Sequence, residues 1–494
     1  MERLSGMDAF FLYLETPNQP MHVTLCAVLD PSTIPAPTSG PAGWSFPLVK
    51  RGIAERVHLV PAFRQRLVPV PLRLHHPVWV DDPNFDVDAH VFRAALPSPG
   101  GPDELAGFVA QVASVPLDRS RPLWEMWLVE GLTDGGTALV GKVHHAALDG
   151  VAGVEQMINF FDLGPEGREI EPPDSANQHV DTMPTEVELI AYATASRLKG
   201  VFDVLPLIGR TASGILAVRN RRAGDRDPLA SDELNNDDRP ARAGTPLICP
   251  TTMLNGSISG QRKVAFARVS LDEVKAVGRA AGATVNDVIL ALCAGTLRRY
   301  LLHHDALPAE PLVAACPVNV RTTTPDGATP RAGAGNHVSA MFTLLHTELA
   351  TAAERLGAAS RTAGAAKEEH ALFDPTTLQQ WAEVADPNLF SWLSDRYAAS
   401  GLASRHRPAL NVMISNLPGP AFPLYLAGAK LERAYPMGQI IEGVGLNITV
   451  MSYCDSVDIG FMAAANLLPD VELLAADVAP AMAELVAAFA TADP

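Results

Sequence analysis

The sequence predicts an α/β (α+β) protein of two domains, each a mixed β-sheet flanked by helices. Three observations carry that prediction. Strand and helix signals alternate over residues 1–163, the composition turns polar and proline-rich at Gly164, and a second alternation begins near Ser257. We therefore divide the chain into an N-terminal domain (1–163), a partly helical crossover linker (164–255) and a C-terminal domain (256–494). With 494 residues, 47% of them hydrophobic and only 19% charged, the chain can fill cores of that size.

In the first domain, residues 23–29 read as a strand. Prolines at 31, 35, 37, 41 and 47 mark a loop, and 97–102 a second turn-rich stretch. Residues 78–83 end a short strand. Residues 123–130 and 138–144 read as neighbouring strands joined through Thr133-Asp134-Gly135-Gly136. The period then changes: Val151, Val154, Met157, Ile158 and Phe161 recur at helical spacing. His144 and His145 thus sit where a buried strand gives way to a helix. Within the linker, residues 188–222 carry helical apolar stretches ending in Arg219, Arg221 and Arg222, a segment that could lie on a lipid surface or pack between domains.

In the second domain, residues 264–269 read as a strand. Ser270-Leu271-Asp272-Glu273 has the form of a capping box, and Thr284-Val285-Asn286-Asp287 opens another helix. Residues 313–320 form a buried strand ending at Arg321, and 411–415 another. Residues 446–453 and 457–463 form a hairpin across Asp455-Ser456, and an alanine-rich helix closes the chain.

A net charge of −17 argues against nucleic-acid binding, which needs basic surface to displace counterions. Five scattered cysteines without a CxxC pair match neither a disulfide framework nor a zinc site, and fit a reducing cytoplasm. Residues 1–4 lack a signal pattern, and no apolar run reaches the roughly 18 residues a spanning helix needs. The expectation is a soluble, cytoplasmic protein whose membrane contacts are peripheral.

His144-His145-Ala146-Ala147-Leu148-Asp149-Gly150 concentrates the chemistry. An alcohol is a poor nucleophile at neutral pH, and neutral imidazole is the side chain suited to take its proton. Asp149 could orient the imidazole or brace the loop through an arginine, and Gly150 allows the turn where the strand stops. A metal would need a third ligand at suitable spacing, which is lacking, so we expect none. There is no GxSxG elbow, phosphate-binding loop or GxGxxG.

HHxxxDG resembles the signature of the CoA-dependent acyltransferase superfamily, shared with peptide-synthetase condensation domains. Further stretches resemble the bacterial wax ester synthase/diacylglycerol acyltransferase family. These are Leu4-Ser5-Gly6-Met7-Asp8-Ala9-Phe10-Phe11 with Pro20-Met21-His22-Val23, then Pro122-Leu123-Trp124, Asn286-Asp287, and Ser415-Asn416-Leu417-Pro418-Gly419-Pro420. Their order agrees from residue 4 to about 485; Leu417 stands where valine is frequent.

The resemblance implies two chloramphenicol-acetyltransferase-like domains with a channel between them. It also implies acyl transfer from acyl-CoA, a co-substrate rather than a bound cofactor, to diacylglycerol or a fatty alcohol. His145 would be the base; His144, Asp149, Gly150 and Arg321, the last a candidate partner of Asp149, would support the site. Ser415 or Asn416 could meet the oxyanion or substrate. Asn286 and Asp287 could instead be explained by helix capping, and Pro122, Leu123 and Trp124 by core or pocket-wall packing. Two alternatives stay open: a condensation-type enzyme with a carrier-bound donor or a polyketide or amine acceptor, and a lipid-droplet-binding protein without turnover. Contact with a membrane or lipid droplet is the one further partner implied.

Overall fold

The computed structural model describes residues 2–34, 44–148, 156, 159–172, 184–194, 207, 249–319, 338–371 and 377–490. The chain opens with β1 (Glu2–Arg3), α1 (Gly6–Leu14), β2 (His22–Asp30) and α2 (Phe46–Arg56). β3 (Gln65–Val68), β4 (Val78–Asp81), β5 (Val91–Ala95), α3 (Pro102–Ser114), β6 (Trp124–Glu130) and β7 (Thr137–His144) follow. After the crossover come β8 (Arg262–Ser270), α4 (Leu271–Ala281), α5 (Val285–His303), β9 (Leu312–Asn319) and β10 (Val338–Leu345). α6 (Ala352–Ala371), α7 (Thr377–Val384) and α8 (Pro387–Ser400) precede β11 (Val412–Pro418), β12 (Tyr425–Leu426), β13 (Ala429–Met437), β14 (Leu446–Tyr453), β15 (Ser456–Ala464) and α9 (Glu472–Phe489).

These strands build two six-stranded mixed sheets and one small three-stranded sheet. The first large sheet runs β12-β13-β2-β7-β6-β5, the second β10-β9-β11-β14-β15-β8, and the small one β1-β4-β3. β2, β6 and β7 are antiparallel neighbours, whereas β5 runs parallel to β6. β15 is buried at every position. That burial fits a strand covered on both faces. α5 carries Leu290, Ala291, Leu292, Ala294 and Leu297 in the same core as Val457, Ile459 and Phe461 of β15.

One feature of the topology lies outside the sequence-based division. β12 and β13 come from the late part of the chain yet pair in the first sheet, where β13 runs antiparallel to β2 from Lys430 opposite Asp30 to Met437 opposite Thr24. The chain then returns to the second sheet through β14. At the crossing, the Asp458 carboxylate on β15 accepts the Ala434 N–H at 2.8 Å and pairs with Arg268 at 2.8 Å. Gly460 permits the contact, since a Cβ there would stand 2.1 Å from the Pro436 carbonyl oxygen.

The sequence-predicted helix starts are present in different degrees. Thr284 and Asp287 form a reciprocal capping box at α5, whereas Ser270 accepts only the Glu273 N–H at α4. Residues 186–194 of the crossover are helical, and Leu189 and Ala193 pack on the small sheet with Val70, Val78 and Val80. Arg219, Arg221 and Arg222 lie outside the described residues. No single described helix is long and apolar enough to cross a membrane.

Candidate active site

β7 delivers the two histidines. Its alternating side chains place Val143 and His144 on opposite faces, and at His145 the ladder ends. Two backbone bonds fix the exit: the His144 N–H donates to the Leu123 carbonyl at 3.0 Å and the His145 N–H to the Met21 carbonyl at 2.8 Å. Pro122, Leu123 and Trp124 thus act here through the backbone and the core. Leu123 is fully buried beside Ala146. Trp124 is sandwiched between Phe63 and His90, at centroid distances of 4.8 and 4.6 Å, and donates its indole N–H to the Phe63 carbonyl at 2.9 Å.

The two imidazoles have different surroundings. His144 is wholly buried. Its Nδ1 accepts the Ala146 N–H at 3.0 Å, so the ring proton sits on Nε2 and is donated to the Glu15 carboxylate at 3.0 Å. Glu15 also accepts the Met21 N–H at 3.1 Å and two donors of Arg119 at 3.0 and 3.2 Å. Burial works to raise the pKa of Glu15, but His144, Arg119 and the Met21 N–H prevail and hold it at about 2. Burial drives the pKa of His144 below the ordinary histidine value, against the pull of Glu15. The pair is therefore a neutral imidazole donating to an ionised carboxylate.

His145 is turned the other way. Its ring stacks on Phe11 of α1, with centroids 4.0 Å apart and planes 19° from parallel. Phe11 clusters with Met7 and Met21, and Ile441 from the late chain packs against them. Next to it the Glu442 N–H donates to Gln19 at 2.5 Å. The Phe11 side of His145 is therefore apolar and assembled from both halves of the chain.

Of the other sequence-predicted residues, Asn286 and Asn416 are brought together, the Asn416 amide donating to Asn286 at 3.3 Å. Ser415 lies on β11 opposite Thr449 of β14. Asp287 completes the cap of α5 and accepts from Ser360 at 3.3 Å. Asp149, Gly150 and Arg321 lie outside the described residues. Among the described residues no three His, Cys, Asp or Glu side chains are placed to hold a metal.

The family model for the wax ester synthase/diacylglycerol acyltransferase catalytic domain matches residues 4–289, and the model for that family's C-terminal domain matches residues 334–486. The chain belongs to the wax ester synthase/diacylglycerol acyltransferase family. It is an acyltransferase of mixed α/β, two-domain fold. It is 35% identical over 488 residues to a Mycobacterium tuberculosis (strain CDC 1551 / Oshkosh) protein named "Putative diacyglycerol O-acyltransferase MT1809", covering 98% of this chain and 90% of the relative. The wax ester synthase/diacylglycerol acyltransferase from Marinobacter aquaeolei VT8 superposes with a TM-score of 0.65 at 31% identity, over 99% of this chain and 100% of that one. The first condensation domain of the calcium-dependent antibiotic synthetase, at 15% identity, shares the fold with a TM-score of 0.55 over 99% and 97% of the two chains.

Within this member of the family, sequence reasoning gave no role to three residues around the histidines: Phe11, Glu15 and Arg119. Phe11 closes the N-terminal motif and Glu15 follows four residues later, which was a usable signal. Arg119, in a polar stretch after α3, carried none.

Proposed function

We propose that this acyltransferase moves a long-chain acyl group from acyl-CoA to the hydroxyl of diacylglycerol or a fatty alcohol, with His145 as the general base. The observation that carries the assignment is the engagement of His144. Both nitrogens of His144 are engaged by Glu15 and the Ala146 N–H, so it cannot accept a proton from an alcohol without breaking the strand end. The proton-transfer role falls to His145, just past the end of β7, where one ring face meets the apolar Phe11 cluster, a contact suited to a lipid acceptor.

In this reading His145 takes the acceptor's proton as its oxygen attacks the thioester carbonyl. A tetrahedral oxyanion forms and collapses, breaking the C–S bond. The protonated imidazole then returns its proton to the CoA thiolate. Asn416, held by Asn286, and Ser415 are the proposed donors to the oxyanion or substrate; such a donor is worth about 3–4 kcal/mol. No covalent enzyme intermediate, metal or bound cofactor takes part.

The test is thiol release from palmitoyl-CoA by the purified protein with dioleoylglycerol or hexadecanol. His145→Ala should lower the rate by about 10²-fold or more. A His145→Ala variant that keeps most of the activity would overturn the assignment.

A further inference from the structure

α8 carries apolar side chains on its solvent side. Leu389, Trp392 and Leu393 are 57, 58 and 50% exposed. At 100° per residue they fall in one arc with Asn388 and Arg396. The Asn388 amide donates to the carbonyls of Leu72 and Arg73, which brings the loop before β4 beside that arc. Leu72 in that loop is 81% exposed and holds a positive φ of 55°. The charged members of the face are Arg73, Arg396 and Asp395.

The inner side of α8 points at the candidate site. Phe390 packs on Phe10 at 4.9 Å, Phe10 meets Phe11 edge-on at 6.2 Å, and Phe11 stacks on His145 at 4.0 Å. One short series of aromatic rings thus joins the exposed face to the imidazole.

We propose that this face, built by Leu72, Leu389, Trp392 and Leu393, seats the protein on a zwitterionic phospholipid surface. The choice of occupant rests on the acceptor being a lipid, as in the function proposed above. Three observations favour a bilayer. The apolar residues project from a helix and a loop tip rather than lining a pocket of the kind that anchors a protein hot spot. Tryptophan beside arginine suits the bilayer interface, where an apolar body inserts and a polar end stays wet. The net charge of −17 opposes approach to an anionic surface, so insertion into neutral lipid drives docking. Seated this way, the protein would take its acceptor from the bilayer on the side where α8 packs on α1, whose Phe11 stacks on His145.

The test compares the full-length protein with a Leu389→Ser/Trp392→Ser/Leu393→Ser variant, matched for melting temperature, in flotation with dioleoylphosphatidylcholine vesicles. The parent should float. The variant's partition should fall by about tenfold or more, because each inserted apolar side chain multiplies the partition coefficient. The variant should also keep thiol release with water-soluble hexanol while losing it with vesicle-borne dioleoylglycerol. A parent that stays at the bottom of the gradient, or a variant that floats equally well, overturns the docking proposal. So does a parent dimer that the variant loses without any change in flotation. If the parent floats but releases no thiol with any acceptor, docking stands and the proposed function falls.

Discussion

His144 spends both ring nitrogens on the scaffold, and Glu15 links three segments: β7 through His144, the stretch after α3 through Arg119, and the start of β2 through Met21. The Met21 carbonyl in turn holds the His145 N–H. Glu15→Ala should therefore loosen both histidines at once. We predict a loss of about 1–3 kcal/mol of stability, read by denaturant unfolding, because the buried His144 Nε2–H would lose its acceptor, while Arg119, 44% exposed, can turn to water. A buried histidine next to this arrangement sets a pH dependence. His22 lies opposite His144 on β2 and donates to the Ala113 carbonyl at 2.9 Å. Burial, with Lys142 nearby, depresses its pKa from 6.5 to about 3. Between those values the unfolded chain binds a proton that the folded chain refuses, so this stability is fully present above pH 6.5 and drains away as pH falls towards 3. The slope is at most about 1.4 kcal/mol per pH unit for each such group. His22→Gln can keep the bond to Ala113 but cannot ionise. Melting curves from pH 7 to 4 should therefore be flatter for that variant than for the parent; equal slopes would refute this account.

α1 shows how an element is placed by another that sequence periodicity does not reveal. The Ser5 hydroxyl caps it by accepting the Asp8 N–H at 3.1 Å, and Glu383 of α7 accepts the Gly6 N–H at 2.5 Å while pairing with Arg3. Gly6 lets the α7 backbone approach: a Cβ there would stand 2.4 Å from the Glu383 nitrogen. Gly6→Ala should cost about 1–3 kcal/mol through overpacking and should lower activity, because α1 carries Phe11. Gly107→Ala in α3, where a Cβ meets nothing within 4 Å, should instead gain about 0.5–1 kcal/mol. Calorimetry of the two variants checks the contrast, and a neutral Gly6→Ala would show that α7 can move aside. Elements governed by their own side-chain pattern were legible in the sequence: the capping box at Thr284, the hairpin of β14 and β15, and β7 running into the histidines. α7 and α8 were not. The apolar residues of α8 face both inward and outward, Phe390 towards Phe10 and Leu389 and Trp392 towards solvent, so no single stripe announces a buried face, and α7 is only about two turns long.

At the scale of the whole molecule, the late strands β12 and β13 make the first sheet a product of both ends of the chain. No local pattern could reveal this, because a strand's alternation says which face is buried and not which neighbour it joins. Leu431 and Ala434 of β13, together with Leu424 and Leu426, are buried in the same cluster as Val49, Ile53, Trp124 and Leu128. Residues 1–255 made alone would lack that layer and expose β2 as an edge, with the backbone groups that now pair with residues 430–437 left open. We predict that this fragment is insoluble or readily proteolysed, and that co-expression with residues 256–494 yields a soluble complex that protects it. The Asp458 grip on the Ala434 N–H lies within residues 256–494 and ties β13 to β15, so it should position β13 for pairing with β2 of the other fragment. Asp458→Asn, keeping one acceptor but losing the charge that Arg268 meets, should weaken the complex without preventing it. A soluble 1–255 fragment with a sharp thermal transition of its own would mean that β13 is dispensable to the first sheet and that the two halves fold independently.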